Sequence, residues 1–243
     1  TAFPATPVAF PVPVQGIASD DADDLACLPD HKSDTDAIAV HRLDVEALPV
    51  ASVASEPSYF MQYSFCESGI DAQKVKVGKG AEGVGTFDLH ARACTTENTV
   101  RKYVSRIYYV ATCNRCDPSD NIPTLKRVDI VGGVAQAPVA LADGVEEMRF
   151  EYGLDTTAGG DGSADEYRTA DDVDVALWPD VMTVKAHFIT KSPEKVLGDQ
   201  LSTDQTFNLG AVEVEAPADG HSRRAYSSVI RLVNPSSVRE GGP

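Results

Sequence analysis

Hydrophobic residues in this chain recur at every second position, and that period constrains the fold more than any other feature. Alternation of this kind puts one set of side chains on each face of an extended strand, whereas a helix needs spacings of three and four. Residues 58–66 set Tyr59, Met61, Tyr63 and Phe65 on one face, with Gln62 and Ser64 on the other. Residues 181–189 point Met182, Val184, Ala186 and Phe188 inward against Thr183, Lys185 and His187. Met148, Phe150 and Tyr152 alternate with Arg149 and Glu151, and residues 225–233 put Tyr226, Ile230 and Leu232 on one face. Further strands are expected at 37–43, 74–77, 86–91, 125–131 and 207–214, and a strand-like run covers 104–112.

Helical periodicity is scarce. Residues 172–177 and 141–147 have room for a turn or two, and Gly132-Gly133 and the glycine-rich stretch 78–85 read as connections. No phosphate-binding fingerprint is present, because no helix follows 78–85. The chain is therefore expected to be α+β and strand-dominated, an antiparallel sheet with long polar loops. Such a sheet must cover its apolar face, either with a second sheet or with a helix that is absent from these residues.

The 243 residues are 42% hydrophobic, enough for a real core, and carry a formal net charge of −16. That balance argues against nucleic-acid binding, which needs clustered cations, and against docking on anionic lipid. No apolar run is long enough to span a bilayer. Residues 1–20 form an extended segment, proline-rich (Pro4, Pro7, Pro11, Pro13) and then acidic, ahead of one globular head at 21–243. The sequence starts at Thr1 with no basic region before an apolar core, so it reads as a processed or trimmed product.

Cys27, Cys66, Cys94, Cys113 and Cys116 in an acidic, export-like chain point to disulfides. The preferred pairing is Cys113 with Cys116 and Cys66 with Cys94, leaving Cys27 over, although spacing alone does not fix connectivity. A redox-active Cys-x-x-Cys opens a helix. Here the pair is followed by Asp117-Pro118-Ser119-Asp120-Asn121, which is turn chemistry, so a loop-closing bond is the plainer reading. Zinc would need a second close ligand pair, and the remaining cysteines are dispersed.

Asp155, Asp161 and Asp165 lie on a loop rich in glycine, a composition that suits calcium. Gly159 stands where a calcium loop would place another carboxylate, and the alternative is a solvated acidic hairpin. The run Asp20-Asp21-Ala22-Asp23-Asp24 and the pair Glu146-Glu147 read as solvated surface. His31, His41, His90, His187 and His221 form no metal or nucleophile motif, so no catalytic residue and no cofactor is assigned.

Several stretches, taken in order, resemble a type IV pilus minor pilin of the PilW type. They are 36–43 (DAIAVHRL), 101–110 (RKYVSRIYYV), 122–128 (IPTLKRV), 141–152 (LADGVEEMRFEY), 178–186 from Trp178, and 223–232 (RRAYSSVIRL). The resemblance implies a pilin-like antiparallel sheet head whose long N-terminal helix is mostly or wholly missing here. It implies a non-enzymatic subunit, anchored in the inner membrane through that helix with a periplasmic head, then extracellular in the pilus. Implied partners are other minor pilins, the major pilin and a PilY-type tip adhesin, in a complex that primes polymerisation. Two rivals stand beside it. A secreted β-sandwich adhesin or carbohydrate-binding module would expose a line of aromatics drawn from Tyr108, Tyr109, Tyr152, Tyr167 and Trp178. A secreted hydrolase would need a pocket with converging histidine and carboxylate groups.

Overall fold

The computed structural model describes residues 12–82, 86–195 and 205–240. Among these it has fourteen strands, two short α-helices and four 3₁₀ turns, and the strand pairings given residue by residue are antiparallel. The chain divides into two compact units, and each is taken by itself. The first holds 40–106 and 129–137; the second holds Val14–Ala39, Ile107–Val128 and 138 onward. Strands β2 (Ala37–Leu43), β5 (Val100–Ala111) and β6 (Thr124–Val131) are each shared out between the units by this division.

In the first unit β3 (Tyr59–Tyr63) runs between β4 (Val75–Lys79) and the start of β5, with Met61 opposite both Val77 and Arg101. Its core gathers Val50, Val53, Phe60, Phe87 and Val100. Burial at 58–66 does not follow the expected alternation: Phe60, Met61 and Gln62 are all buried, Tyr59 and Tyr63 are half-buried, and Phe65 is exposed. Gln62 goes inside because its amide is fully used, donating to Asn98 O and accepting from Leu89 N–H. Gly132-Gly133 joins β6 to β7 (Val134–Ala135), both glycines at positive φ as a two-residue hairpin of this kind requires. Residues 86–91 form no strand, although Phe87 and Leu89 are buried there. Gly78 lies within β4, and residues 83–85 fall outside the described ones.

In the second unit β1 (Val14–Ile17) and α1 (Ser19–Asp23) open the chain. The acidic run 20–24 is therefore largely a helix, with its aspartates exposed and Ala22 buried. Residues 141–147 make no helical turn: β8 (Val139–Asp143) ends at Gly144 and β9 (Val145–Leu154) begins. The principal sheet is ordered β10-β9-β11-β14, with β10 at Glu166–Arg168, β11 at Val181–Lys195 and β14 at His221–Arg231. One face buries Met148, Phe150, Tyr152, Val184 and Ala186, with Trp178 edge-on to Tyr152 at 4.8 Å. Burying such aromatics contributes on the order of 2–3 kcal/mol each.

The opposite face of β11 is also covered. His187 and Ile189 are buried there while Phe188 is only half-buried, so the inward set expected for 181–189 holds only through Ala186. The hairpin of β12 (Gln205–Leu209) and β13 (Val212–Ala216) lies close to this face, and a Cβ on Gly210 at its turn would strike Glu151 and His187. Residues 207–214 are hence two strands and a turn. Helix α2 (Val233–Glu240) closes the described chain.

Candidate functional site

Strand β14 supplies the most distinctive surface. It forms the edge of its sheet, hydrogen-bonded to β11 on one side, with Tyr226 opposite Phe188 and Ile230 opposite Val184. Tyr226 and Ile230 are 52% and 48% exposed on the core-side face, and Val229 is 61% exposed on the other. From Arg224 to Arg231 every residue of the strand is exposed. A run of apolar side chains on an unpaired edge offers both main-chain hydrogen bonds and apolar area to another chain.

The loop holding Asp155, Asp161 and Asp165 is organised by its own carboxylates. Asp155 is buried and accepts from the N–H groups of Thr157, Asp161 and Gly162 at 3.2, 2.9 and 2.9 Å. Asp165 Oδ2 accepts from both the N–H and the hydroxyl of Thr156 and Thr157 at 2.8–3.2 Å. The Thr156 N–H bond leads in holding the Asp165 carboxyl below the usual range. Asp161 accepts from Ser163 N–H. Each of the three thus turns an oxygen to the main chain, and the described residues do not gather them into one cluster of three donor atoms.

Cys66 is bonded to Cys94, Cys113 to Cys116, and Cys27 is a free, half-buried thiol. The Cys113–Cys116 turn is braced by Asp120, whose carboxylate accepts from Asn114 N–H at 3.0 Å and Arg115 N–H at 2.9 Å. The Arg115 N–H bond leads in depressing its ionisation. Among the described residues the one grouping of three His, Cys, Asp or Glu donor atoms within 4.8 Å of each other is Asp30, Cys113 and Cys116, and its sulfurs are bonded to each other. Asp30 comes from a segment about eighty residues earlier, which spacing within the Cys-x-x-Cys cannot reveal.

Four of the five histidines, His31, His90, His187 and His221, pair through a ring nitrogen, whereas His41 is stacked on Tyr103 and its buried Nδ1 has no hydrogen-bond partner among the described residues. His187 is buried, its Nδ1 paired with Ser227 Oγ at 2.7 Å and its Nε2 with Glu151 Oε2 at 3.1 Å. Three adjacent strands are tied by this chain, and both ring nitrogens are satisfied by it. A cavity of about 420 Å³ is lined by Glu151, Tyr167, Arg168, Thr169, Asp172 and Ala211, with no histidine in its wall. His90 pairs with Asp71 and His31 with Asp23. Glu146 and Glu147 are not a solvated pair. Glu146 binds Arg223, while Glu147 is buried against Lys32 at 2.5 Å and pushed up in pKa mainly by that burial. The aromatic line of a glycan platform is not formed, since Tyr109, Tyr152 and Trp178 are core residues.

Among the described residues no helix is long and apolar enough to cross a membrane. No curated protein and no solved structure matches the chain. The family model described as type IV pilus-assembly protein W matches residues 107–234, from the end of β5 past β14 and so across the whole β10-β9-β11-β14 sheet and its exposed edge. Residues 36–43, part of the resemblance noted in the sequence, lie outside that match. The matched span exceeds half of the sequence and coincides with the sheet that organises the second unit: the chain belongs to the type IV pilus-assembly protein W family.

Proposed function

We propose that this chain is a minor pilin, a non-enzymatic subunit that joins other minor pilins in a complex priming pilus polymerisation and located at the fibre tip. The observation that carries the reading is the uncovered apolar strip of Tyr226, Val229 and Ile230 on an edge strand inside the matched region. A monomer that worked alone would gain by covering or charging that strip. On this reading the head is pilin-like, neighbouring minor pilins pack on the strip bearing Tyr226, Val229 and Ile230, and a PilY-type adhesin at the tip uses the loops carried by the sheet. The head is periplasmic before assembly and extracellular afterwards.

Affinity co-purification tests this directly. The chain, co-expressed with the minor pilins of the same fibre, retains them, and Tyr226→Asp with Ile230→Asp loses them while the head stays folded. Retention unaffected by the double substitution would remove the strip from the interface. Absence of any minor pilin from the parent sample, with glycan binding in its place, would favour a carbohydrate-binding module.

A further inference from the structure

Lys126, on β6, is only 7% exposed, yet among the described residues the one hydrogen bond its ammonium makes is to a sulfur, Cys116 Sγ, at 3.3 Å. Among the described residues no carboxylate lies within ion-pairing distance of it. A buried ammonium is costly without a counter-charge, and a disulfide sulfur is a poor acceptor. A thiolate at Cys116 would supply the missing charge. The two sulfurs are also unequally reachable, Cys113 being 1% exposed and Cys116 half-buried. The Asp30 carboxylate lies within 4.8 Å of both. Finally, Asp120 holds the turn by main-chain bonds that do not involve the sulfurs, so the pair stays opposed after the bond opens.

We propose that Cys113–Cys116 is a thiol–disulfide exchange site rather than a passive loop closure, with Cys116 as the exchanging sulfur and Lys126 as the group that stabilises its thiolate. An incoming thiolate attacks Cys116 Sγ and forms a mixed disulfide. The Cys113 sulfur leaves with the electron pair of the old S–S bond and takes a proton from solvent or from a protonated Asp30. A second thiolate then attacks the outer sulfur of the mixed disulfide, and Cys116 leaves as the thiolate that Lys126 stabilises, so two external thiols become one disulfide. In the reverse direction the Cys116 thiolate attacks an external disulfide and expels one thiolate; Cys113 then gives its proton to the Asp30 carboxylate, attacks Cys116 Sγ and expels the second. The co-reactant class is a small or protein thiol, or its disulfide, and two electrons pass in each full cycle. This inference stands apart from the pilus reading, since neither the strip on β14 nor any partner enters it.

The test uses the folded chain with Cys27→Ser, so that only the two bridges report. Dithiothreitol without denaturant should open Cys113–Cys116 while Cys66–Cys94 stays closed, as mapped by alkylation and mass spectrometry. In the reduced protein Cys116 should be alkylated at pH 7 at least tenfold faster than Cys113, and its rate should reach half-maximum below the free-thiol value of about pH 8.5. Lys126→Met should slow Cys116 about tenfold and Lys126→Arg should not. With Cys113→Ser, oxidised glutathione should be trapped on Cys116. A bridge that opens only under denaturant would overturn the proposal. So would a half-maximum at or above about pH 8.5 in the parent protein, which needs no Lys126 variant to fold.

Discussion

Arg223 grips Glu146 with two parallel hydrogen bonds, Nε to Oε2 at 2.5 Å and Nη2 to Oε1 at 3.0 Å, from a side chain only 1% exposed. The same guanidinium binds both oxygens of Asp219 at 2.8 and 2.9 Å, and Lys191 reaches Asp219 at 2.8 Å. The Arg223 bonds come first in holding the Asp219 carboxyl far below the usual range, and Arg223 is itself raised, first by Asp219. Removing the guanidinium leaves the half-buried Glu146 and Asp219 with only Lys191, at 3.8 and 2.8 Å, to offset them. Arg223→Met should therefore cost about 3–5 kcal/mol, the usual penalty for breaking a buried pair. Arg223→Lys should recover only part, because a point charge cannot fork to two carboxylates. Urea denaturation of the three proteins measures both.

Gln62 gives a second, smaller test. Its amide occupies Leu89 N–H and Asn98 O, at 2.9 and 2.7 Å. Gln62→Leu keeps the volume but strands both main-chain groups, so a loss of roughly 1–3 kcal/mol is expected despite the gain in hydrophobicity. A neutral result in chemical denaturation would show that water replaces the amide.

These two residues mark how far the fold was legible in the sequence. Met148, Phe150 and Tyr152 could be read because β9 has one apolar core face, the situation in which alternation reports burial. The pattern sets Gln62 on the polar side, and its burial is not legible there because its partners lie 27 and 36 residues away on an irregular segment that no period encodes. The pattern sets His187 opposite the inward residues, and its burial is hidden because β11 is covered on both faces, which erases alternation. In the same way the Cys113–Cys116 pair is local, whereas Asp30 and Lys126 reach it from other segments. The edge position of β14 is a property of topology, which is why Tyr226 and Ile230 could be assigned to one face but not to an uncovered one.

Asp71 predicts a pH dependence. Its buried carboxylate accepts from Ser64 Oγ at 2.6 Å, from His90 N–H at 2.9 Å and from His90 Nδ1 at 2.8 Å, and the Ser64 bond leads in bringing its pKa down to about 2. An unfolded aspartate ionises near pH 3.9, about two pH units higher. The unfolded chain thus binds more protons in this window. The stability that Asp71 contributes is complete above about pH 4 and lost as pH falls toward about 2. Asp71→Asn should flatten the melting temperature between about pH 4 and pH 2 relative to the parent, and leave its slope above pH 5 unchanged.

The acidic loop makes a different prediction. Asp155 is engaged by three N–H donors and Asp165 by two N–H groups and two hydroxyls, so the loop is shaped by its own main chain. Asp155→Ala should release it, seen as faster hydrogen exchange at residues 156–165. Millimolar calcium should leave the parent's melting temperature where it is. A clear calcium-dependent rise, abolished by Asp161→Ala, would instead establish the loop as a cation site.

The close passage of β1 over Tyr152 yields the last prediction. A Cβ on Gly16 would stand 2.6 Å from Tyr152 Cε2 and closer still to its hydroxyl. The ring cannot swing aside, being fully buried and edge-on to Trp178. Gly16→Ala should therefore cost about 1–3 kcal/mol, the range for overpacking a filled core. Tyr152→Phe should behave oppositely. The hydroxyl is buried and has no hydrogen-bond partner among the described residues, and burial is the main reason its ionisation is pushed far up. Deleting it removes an unpaid desolvation and eases the contact with Gly16, so the variant should be neutral or more stable. Thermal melts of both proteins decide. A destabilised Tyr152→Phe would mean that the hydroxyl is hydrogen-bonded in solution, and Gly16 would then owe its place to that bond as well as to the shortage of space.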